Sequence, residues 1–123
     1  MGNFQNLSVW QRAKTLAVRI YQITNKYPAL ARDLSMVDQL RRAAVSAPSN
    51  IAEGDELRSN KQSIHYFYIA KGSIAELKTQ LIIVQALELA PKTVTEPEIQ
   101  ECYEIGAMLY ALIQARQSSP KQV

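Results

Sequence analysis

Most of the residue types that carry site chemistry are scarce in this sequence. Of its 123 residues one is cysteine, Cys102. A lone thiol closes no internal disulfide, so a disulfide-stapled secreted fold is excluded. One residue is histidine, His65, which leaves no second imidazole for a histidine-rich metal site. Four glycines and five prolines are too few for a collagen-like or linker-like chain. Gly72 and Gly106 stand alone, so there is no glycine-rich phosphate loop. The strongest apolar run, Leu81-Ile82-Ile83-Val84, falls far short of the roughly 20 residues that span a bilayer. The first residues carry no basic segment ahead of an apolar stretch. Asn6 also stands where a myristoylation signal needs Ser or Thr. The expectation is a cytoplasmic protein with no membrane segment.

What remains is ordinary for a folded chain: 47% apolar and 20% charged residues. The length suits one domain over residues 1–123, with a frayed polar tail over 118–123. Fourteen basic residues against 11 acidic ones leave +3. The whole surplus lies in residues 1–58, which hold 8 basic and 5 acidic side chains. A modest basic excess is compatible with a polyanionic partner.

The apolar period is helical throughout, and no segment alternates as a strand does. A first helix is expected from Ser8, with Gln11 completing a capping box. Its seam is Val9, Ala13, Leu16, Ile20, Ile23 and Tyr27, and Pro28 ends it. A second helix is expected after Ser35, with a seam of Val37, Leu40, Ala44, Ala47 and Ile51. Pro48 within it predicts a kink or two shorter helices, the freed groups being met by Ser46, Ser49 or Asn50. Gly54 ends the segment. A third helix is expected from Ser59 to Leu89, about 45 Å long, along Phe67, Ala70, Ile74, Leu77, Leu81 and Val84. The fourth opens on a Thr95–Glu98 capping box with Pro97 in its first turn. Its seam is Ile99, Cys102, Gly106, Leu109 and Ile113. Gly72 and Gly106 are read as places of close helix approach. The expected architecture is all-α, an antiparallel up-down four-helix bundle.

The third helix has a second apolar face. Tyr68, Ile69, Ala75, Ile82, Ile83 and Leu89 fall roughly opposite its seam. A helix apolar on both sides needs cover on both. Either neighbouring helices wrap around it or a second copy of the chain does, and the latter predicts a homo-oligomer with Tyr68, Ile69, Ile82, Ile83 and Leu89 at its interface.

Polar side chains fall into two groups. Arg12, Arg19 and Lys26 recur every seven residues as a basic stripe, and Arg41 and Arg42 add a pair. They can neutralise phosphates of RNA or DNA, or they can be a solvated flank paired with acids of neighbouring helices. Ser46, Asn50 and Glu53 share one helix side, as Ser73 and Glu76 share another. Together they can form a hydrogen-bonded layer, with Arg41 or Arg42 pairing a buried carboxylate. They lack the nucleophile, base and orienting group that covalent catalysis needs, so no catalytic residue is assigned. Gln62 stands three residues before His65, where a di-metal bundle has glutamate. Glu53, Asp55 and Glu56 lack calcium-loop spacing. No metal and no cofactor are expected; His65 is read as solvated and Cys102 as a packed thiol.

Two segments carry a resemblance. Leu40 to Gly54 reads L-R-R-A-A-V-S-A-P-S-N-I-A-E-G, and Phe67 to Leu81 reads F-Y-I-A-K-G-S-I-A-E-L-K-T-Q-L. With Val9-Trp10 and Tyr27-Pro28, the chain resembles the small four-helix-bundle proteins encoded in intervening sequences of bacterial 23S ribosomal RNA genes. The resemblance extends from about Leu7 to Leu89; the last helix matches in apolar pattern alone. It implies a ring-like homopentamer without catalytic residues. The accessory variability determinant of diversity-generating retroelements, a basic pentamer that binds nucleic acid and a reverse transcriptase, is similar. By that likeness the partners are further copies of the chain, RNA or DNA, and a nucleic-acid enzyme. Ser46, Pro48, Asn50, Glu53 and Gly54 match the second-helix motif, and Lys71, Gly72, Ser73 and Glu76 the third.

Overall fold

A computed structural model describes residues 3–57 and 59–118. Among them every regular element is helical: α1 (Ser8–Lys26), α2 (Pro28–Arg32), α3 (Leu34–Glu56), α4 (Asn60–Ala86) and α5 (Lys92–Ser118), preceded by a 3₁₀ turn at Phe4–Asn6. The chain is a helical bundle. Residues 119–123 of the expected tail lie outside the described residues, and Ser118 is the last residue of α5.

Several helix boundaries differ from those read in the sequence. Ser8 and Gln11 form no capping box. Ser8 is already helical, and Gln11 Nε2 reaches back to Gln5 O at 2.8 Å, tying the 3₁₀ turn to α1. Phe4 stacks edge-on to Trp10 at 5.1 Å. Tyr27 is extended, as a residue before proline should be. Pro28 then opens the unexpected five-residue α2, because its fixed φ suits a first helical position. That short helix places Leu30 in the core. Asp33 caps α3 by accepting from Met36 N at 3.1 Å.

Helix α3 runs unbroken through Pro48, so it does not divide in two. Ser49 Oγ donates to Val45 O and Asn50 Nδ2 to Ser46 O, each at 2.8 Å. These carbonyls lie one and two residues beyond Ala44, the residue whose acceptor loses its partner to proline. Nor does Gly54 end the helix, which continues to Glu56. Its missing side chain serves packing instead. A Cβ there would lie 2.8 Å from Phe67 Cε1 and 3.0 Å from Ser63 O. Gly72 and Gly106, expected at close approaches, have open space where a Cβ would stand.

Ser59 caps α4, accepting from Gln62 N at 3.2 Å. The helix ends at Ala86, three residues before Leu89, and is about 40 Å long. Glu88 takes the left-handed conformation, φ 56°, and Leu89 N donates to Val84 O at 3.0 Å, which is the bonding of a Schellman stop. Helix α5 starts one turn before the expected box. Thr95 is buried and donates to Gln85 Oε1 at 2.8 Å, while Glu98 is taken by Arg19. Pro97 is consequently inside the helix.

Most of the expected seam residues meet in one core, with Ile105 of α5 buried in place of the expected Gly106. Leu16, Ile20, Leu40, Ile51, Phe67, Leu77, Leu81, Ile105, Leu109 and Ile113 are fully buried. Helix α3 packs on α4, α4 on α5, and α1 on both α3 and α5. Contacts run in opposite chain order: Ser46 meets Ser73 where Gly54 meets Ser63, and Arg12 meets Glu104 where Arg19 meets Glu98. No described helix is long and apolar enough to cross a membrane.

Candidate nucleic-acid interface and assembly surface

The basic stripe divides in two. Arg12 donates through Nε and Nη2 to Glu101 at 2.9 and 2.6 Å, and through Nη2 to Glu104 at 2.6 Å. Arg19 grips Glu98 with Nε and Nη2 at 2.8 and 2.9 Å. Such two-pronged contacts are the strong form of the ion pair. They hold both guanidiniums even further above the neutral range than usual. Glu104 is pulled below the usual carboxylate range by hydrogen bonds from Arg12 and Gln100. For Arg12 and Arg19 the structure therefore shows pairing with acids of a neighbouring helix, α5.

The other cations keep their charge available. Arg41 donates to two neutral oxygens, Thr24 Oγ1 and Asn25 Oδ1, each at 2.9 Å, and lies 4.4 Å from the Tyr21 ring. Arg42 is exposed, its Nε a loose 4.0 Å from the exposed Asp38. Lys26 is exposed at the end of α1, 5.6 Å from the Tyr27 ring. Two adjoining grooves between α1 and α3, about 360 and 550 Å³, share Tyr21 and Val45. Arg41 and Arg42 line one and Lys14 the other. Lys14 was missed in the basic stripe. Its signal is the four-three-four spacing of Lys14, Val18, Tyr21 and Asn25, a second stripe on the outer side of α1.

Part of the polar motif assembles. Asn50 Nδ2 donates to Ser46 Oγ at 3.1 Å, Ser46 and Ser73 hydroxyls meet at 2.8 Å, and Ser73 Oγ donates to Ile69 O at 3.1 Å. The protons can thus all run one way, from Asn50 to the Ile69 carbonyl, with no donor left over. Glu53 and Glu76 do not join this chain; both face solvent, and Glu76 accepts only a long 3.4 Å contact from Gln80 Nε2. Neither Arg41 nor Arg42 pairs with a buried carboxylate. Among the described residues the buried carboxylates are Glu98, held by Arg19, and Asp55, held by Arg116 at 3.0 Å. Arg116 comes from the end of α5 and also lies 5.2 Å from the Phe67 ring. Gln80 Oε1 is buried with no partner.

The second face of α4 is open in the single chain: Tyr68 is 52% exposed, Ile69 38%, Ile82 48% and Ile83 41%. Leu89 differs from these four. The turn after α4 brings it back, half-buried, against the core. His65 is exposed. Cys102 is buried, and burial pushes its thiol up to about 12, so it stays protonated and unreactive at neutral pH.

Residues 5–111 match the family described as 23S rRNA-intervening sequence protein. Among solved structures, the chain is similar to a protein of unknown function from the S23 ribosomal protein family of Bacteroides thetaiotaomicron. The two are 25% identical with a TM-score of 0.76, over 86% of this chain and 98% of that one. No curated protein matches.

Proposed function

Because the chain belongs to the 23S rRNA-intervening sequence protein family, we propose that it is a non-enzymatic, antiparallel up-down four-helix bundle that assembles with copies of itself into a pentameric ring. The ring presents a basic surface to ribosomal RNA or other nucleic acid inside the cell. The observation that carries the assembly is the open face of α4, where two exposed apolar pairs, Tyr68–Ile69 and Ile82–Ile83, lie on the same side of the helix two heptads apart, about 21 Å, with Ala75 and Glu76 between them. Large apolar side chains exposed at two places along one helix face suit burial against a partner. A helix with that face on one side and the core seam on the other fits a repeated subunit contact.

The basic half of the reading is carried by Arg41, Arg42, Lys14 and Lys26, not by the acid-bound Arg12 and Arg19. Arg41 stacked on Tyr21 keeps its orientation without losing its charge, which suits contact with a phosphate. Five copies of a +3 chain carry +15, enough to steer a polyanion at low ionic strength.

Light scattering tests the assembly: a ring of five 13.8 kDa chains has a mass of about 69 kDa. A monomer at micromolar concentration overturns it. Fluorescence anisotropy against 23S ribosomal RNA fragments tests the second half. Affinity should fall steeply with salt, and Arg41→Ala with Arg42→Ala should flatten that slope while Arg12→Ala leaves it nearly unchanged. Absence of binding at low salt removes the nucleic-acid role.

A second reading, a scaffold that recruits a protein such as a reverse transcriptase, is favoured by one observation. An apolar groove of about 780 Å³ opens at one end of the bundle, bordered by Tyr27, Pro28, Ile82, Leu89 and Pro91. Pull-down with the product of a neighbouring reverse-transcriptase gene separates the two readings.

A further inference from the structure

A fourth groove, about 340 Å³, lies between α4 and α5, beside Ala75 of the second apolar face, and the basic stripe does not account for it. Its walls carry Tyr103 and Tyr110 from α5 and Lys71 and Lys78 from α4. The two tyrosines are 61% and 55% exposed. Gly106 lies between them in sequence and borders the same groove, with nothing within 4 Å of where its Cβ would stand. The Lys78 ammonium lies 5.2 Å from the Tyr103 ring. Gln85 meets Thr95 on the same pair of helices, and seven residues beyond the Lys78–Tyr103 contact on each helix that antiparallel course puts Lys71 level with Tyr110. The groove therefore repeats one unit, a lysine facing a tyrosine, after seven residues on each helix. Among the described residues no acidic one lines it.

From this repeat we infer that the α4–α5 groove binds unpaired nucleotides of a single-stranded RNA, two bases stacking between Tyr103 and Tyr110 while Lys71 and Lys78 meet the flanking phosphates. Seven helical residues rise about 10.5 Å. Stacked bases rise about 3.4 Å each, so two bases and the two rings divide that interval into three stacking steps. Aromatic rings take any base, because every base has a π-face, and lysines take the backbone. A duplex offers no free face to a ring, since its bases are already stacked on one another. The groove therefore distinguishes looped or unwound RNA from paired RNA, which the α1–α3 cations cannot do. The inference rests on the nucleic-acid half of the reading above and adds to it a separate site with its own strand preference.

The test compares a fluorescent single-stranded oligoribonucleotide with the matched duplex by anisotropy, using the assembled protein at low salt. Tyr103→Ala with Tyr110→Ala should weaken single-strand binding by roughly fivefold or more per ring and leave duplex binding unchanged. Tyr103→Phe with Tyr110→Phe should retain it, since the ring and not the hydroxyl does the stacking. Lys71→Ala should lower the single-strand salt slope by about 0.7. The inference is overturned if the alanine pair binds single strands as the wild type does. It is equally overturned if the phenylalanine pair fails like the alanine pair, or if light scattering shows that the alanine pair changes the mass of the assembly, which makes the groove a contact between copies. If Arg41→Ala with Arg42→Ala abolishes binding of both strands and the tyrosine variants change neither, the nucleic-acid reading stands without this site. If the wild type binds neither strand, both fall.

Discussion

Replacing Gly54 by alanine is expected to destabilise the protein, although alanine is the better helix former. The propensity term favours the variant by up to about 1 kcal/mol in a helix interior, and by less here, two residues from the end of α3. Against it stands space. The new methyl would meet Phe67 Cε1 at 2.8 Å, Cδ1 at 3.0 Å and the Ser63 carbonyl at 3.0 Å. Phe67 is fully buried, so its ring has no free volume to enter, and overpacking of this kind costs about 1–3 kcal/mol. Separating the helices also strains the 2.7 Å bond from Ser63 Oγ to Gly54 O, worth about 1 kcal/mol. The net loss is about 2 kcal/mol, or roughly 8 °C in melting temperature. Gly72→Ala is the control, because nothing lies within 4 Å of its added methyl; it should gain about 0.5–1 kcal/mol. Urea unfolding followed by helical circular dichroism, at one fixed protein concentration, reads both. If Gly54→Ala proves as stable as Gly72→Ala, α3 and α4 are not as close at Gly54 as argued.

Three further outcomes follow from the ion pairs and the thiol. Arg19→Met strands Glu98, whose side chain is 8% exposed, and should cost about 2–3 kcal/mol in urea unfolding; Arg19 is itself partly exposed, which keeps the figure below that of a fully buried pair. Adding Glu98→Leu should restore most of the loss, whereas Asp38→Ala, which breaks the exposed 4.0 Å pair with Arg42, should change stability by less than about 0.5 kcal/mol. Glu104 is held below its usual range, so its bond to Arg12 stabilises the protein above that range and is lost as the pH falls below about 4.5 and through the lowered value. Glu104→Gln should make stability less steep in acid, and an unchanged acid profile would contradict this. Cys102 should resist iodoacetamide at pH 8 in the folded protein and react fully in denaturant; rapid labelling of the native state would mean that the α4–α5 packing opens easily.

The apolar period in the linear chain was enough to locate four long helices and most of their buried large apolar residues, from Val9 through Ile113, but not buried Ala17, Ala43 and Ile105 or the buried polar side chains. Burial on one side of a helix imposes its spacing locally, so it can be read without knowing what lies opposite. The open second face of α4 was legible for the same reason. Helix ends were less legible, because capping residues are also good hydrogen-bond partners for distant groups. Thr95 and Glu98 have the spacing of a capping box, yet Gln85 takes one and Arg19 the other. Arg12, Arg19 and Lys26 look equivalent at intervals of seven, and only the approach of α5, with acids 79–92 residues further along the chain, neutralises two of them and spares the third. Gly54, Gly72 and Gly106 likewise look alike in sequence and differ in whether a ring from another helix occupies the space beside them. Local periodicity sets which side of a helix is buried. Which charges remain free and which glycines are indispensable is set by the side chains that the fold brings opposite them, because Coulomb attraction and steric contact depend on separation in space and not along the chain.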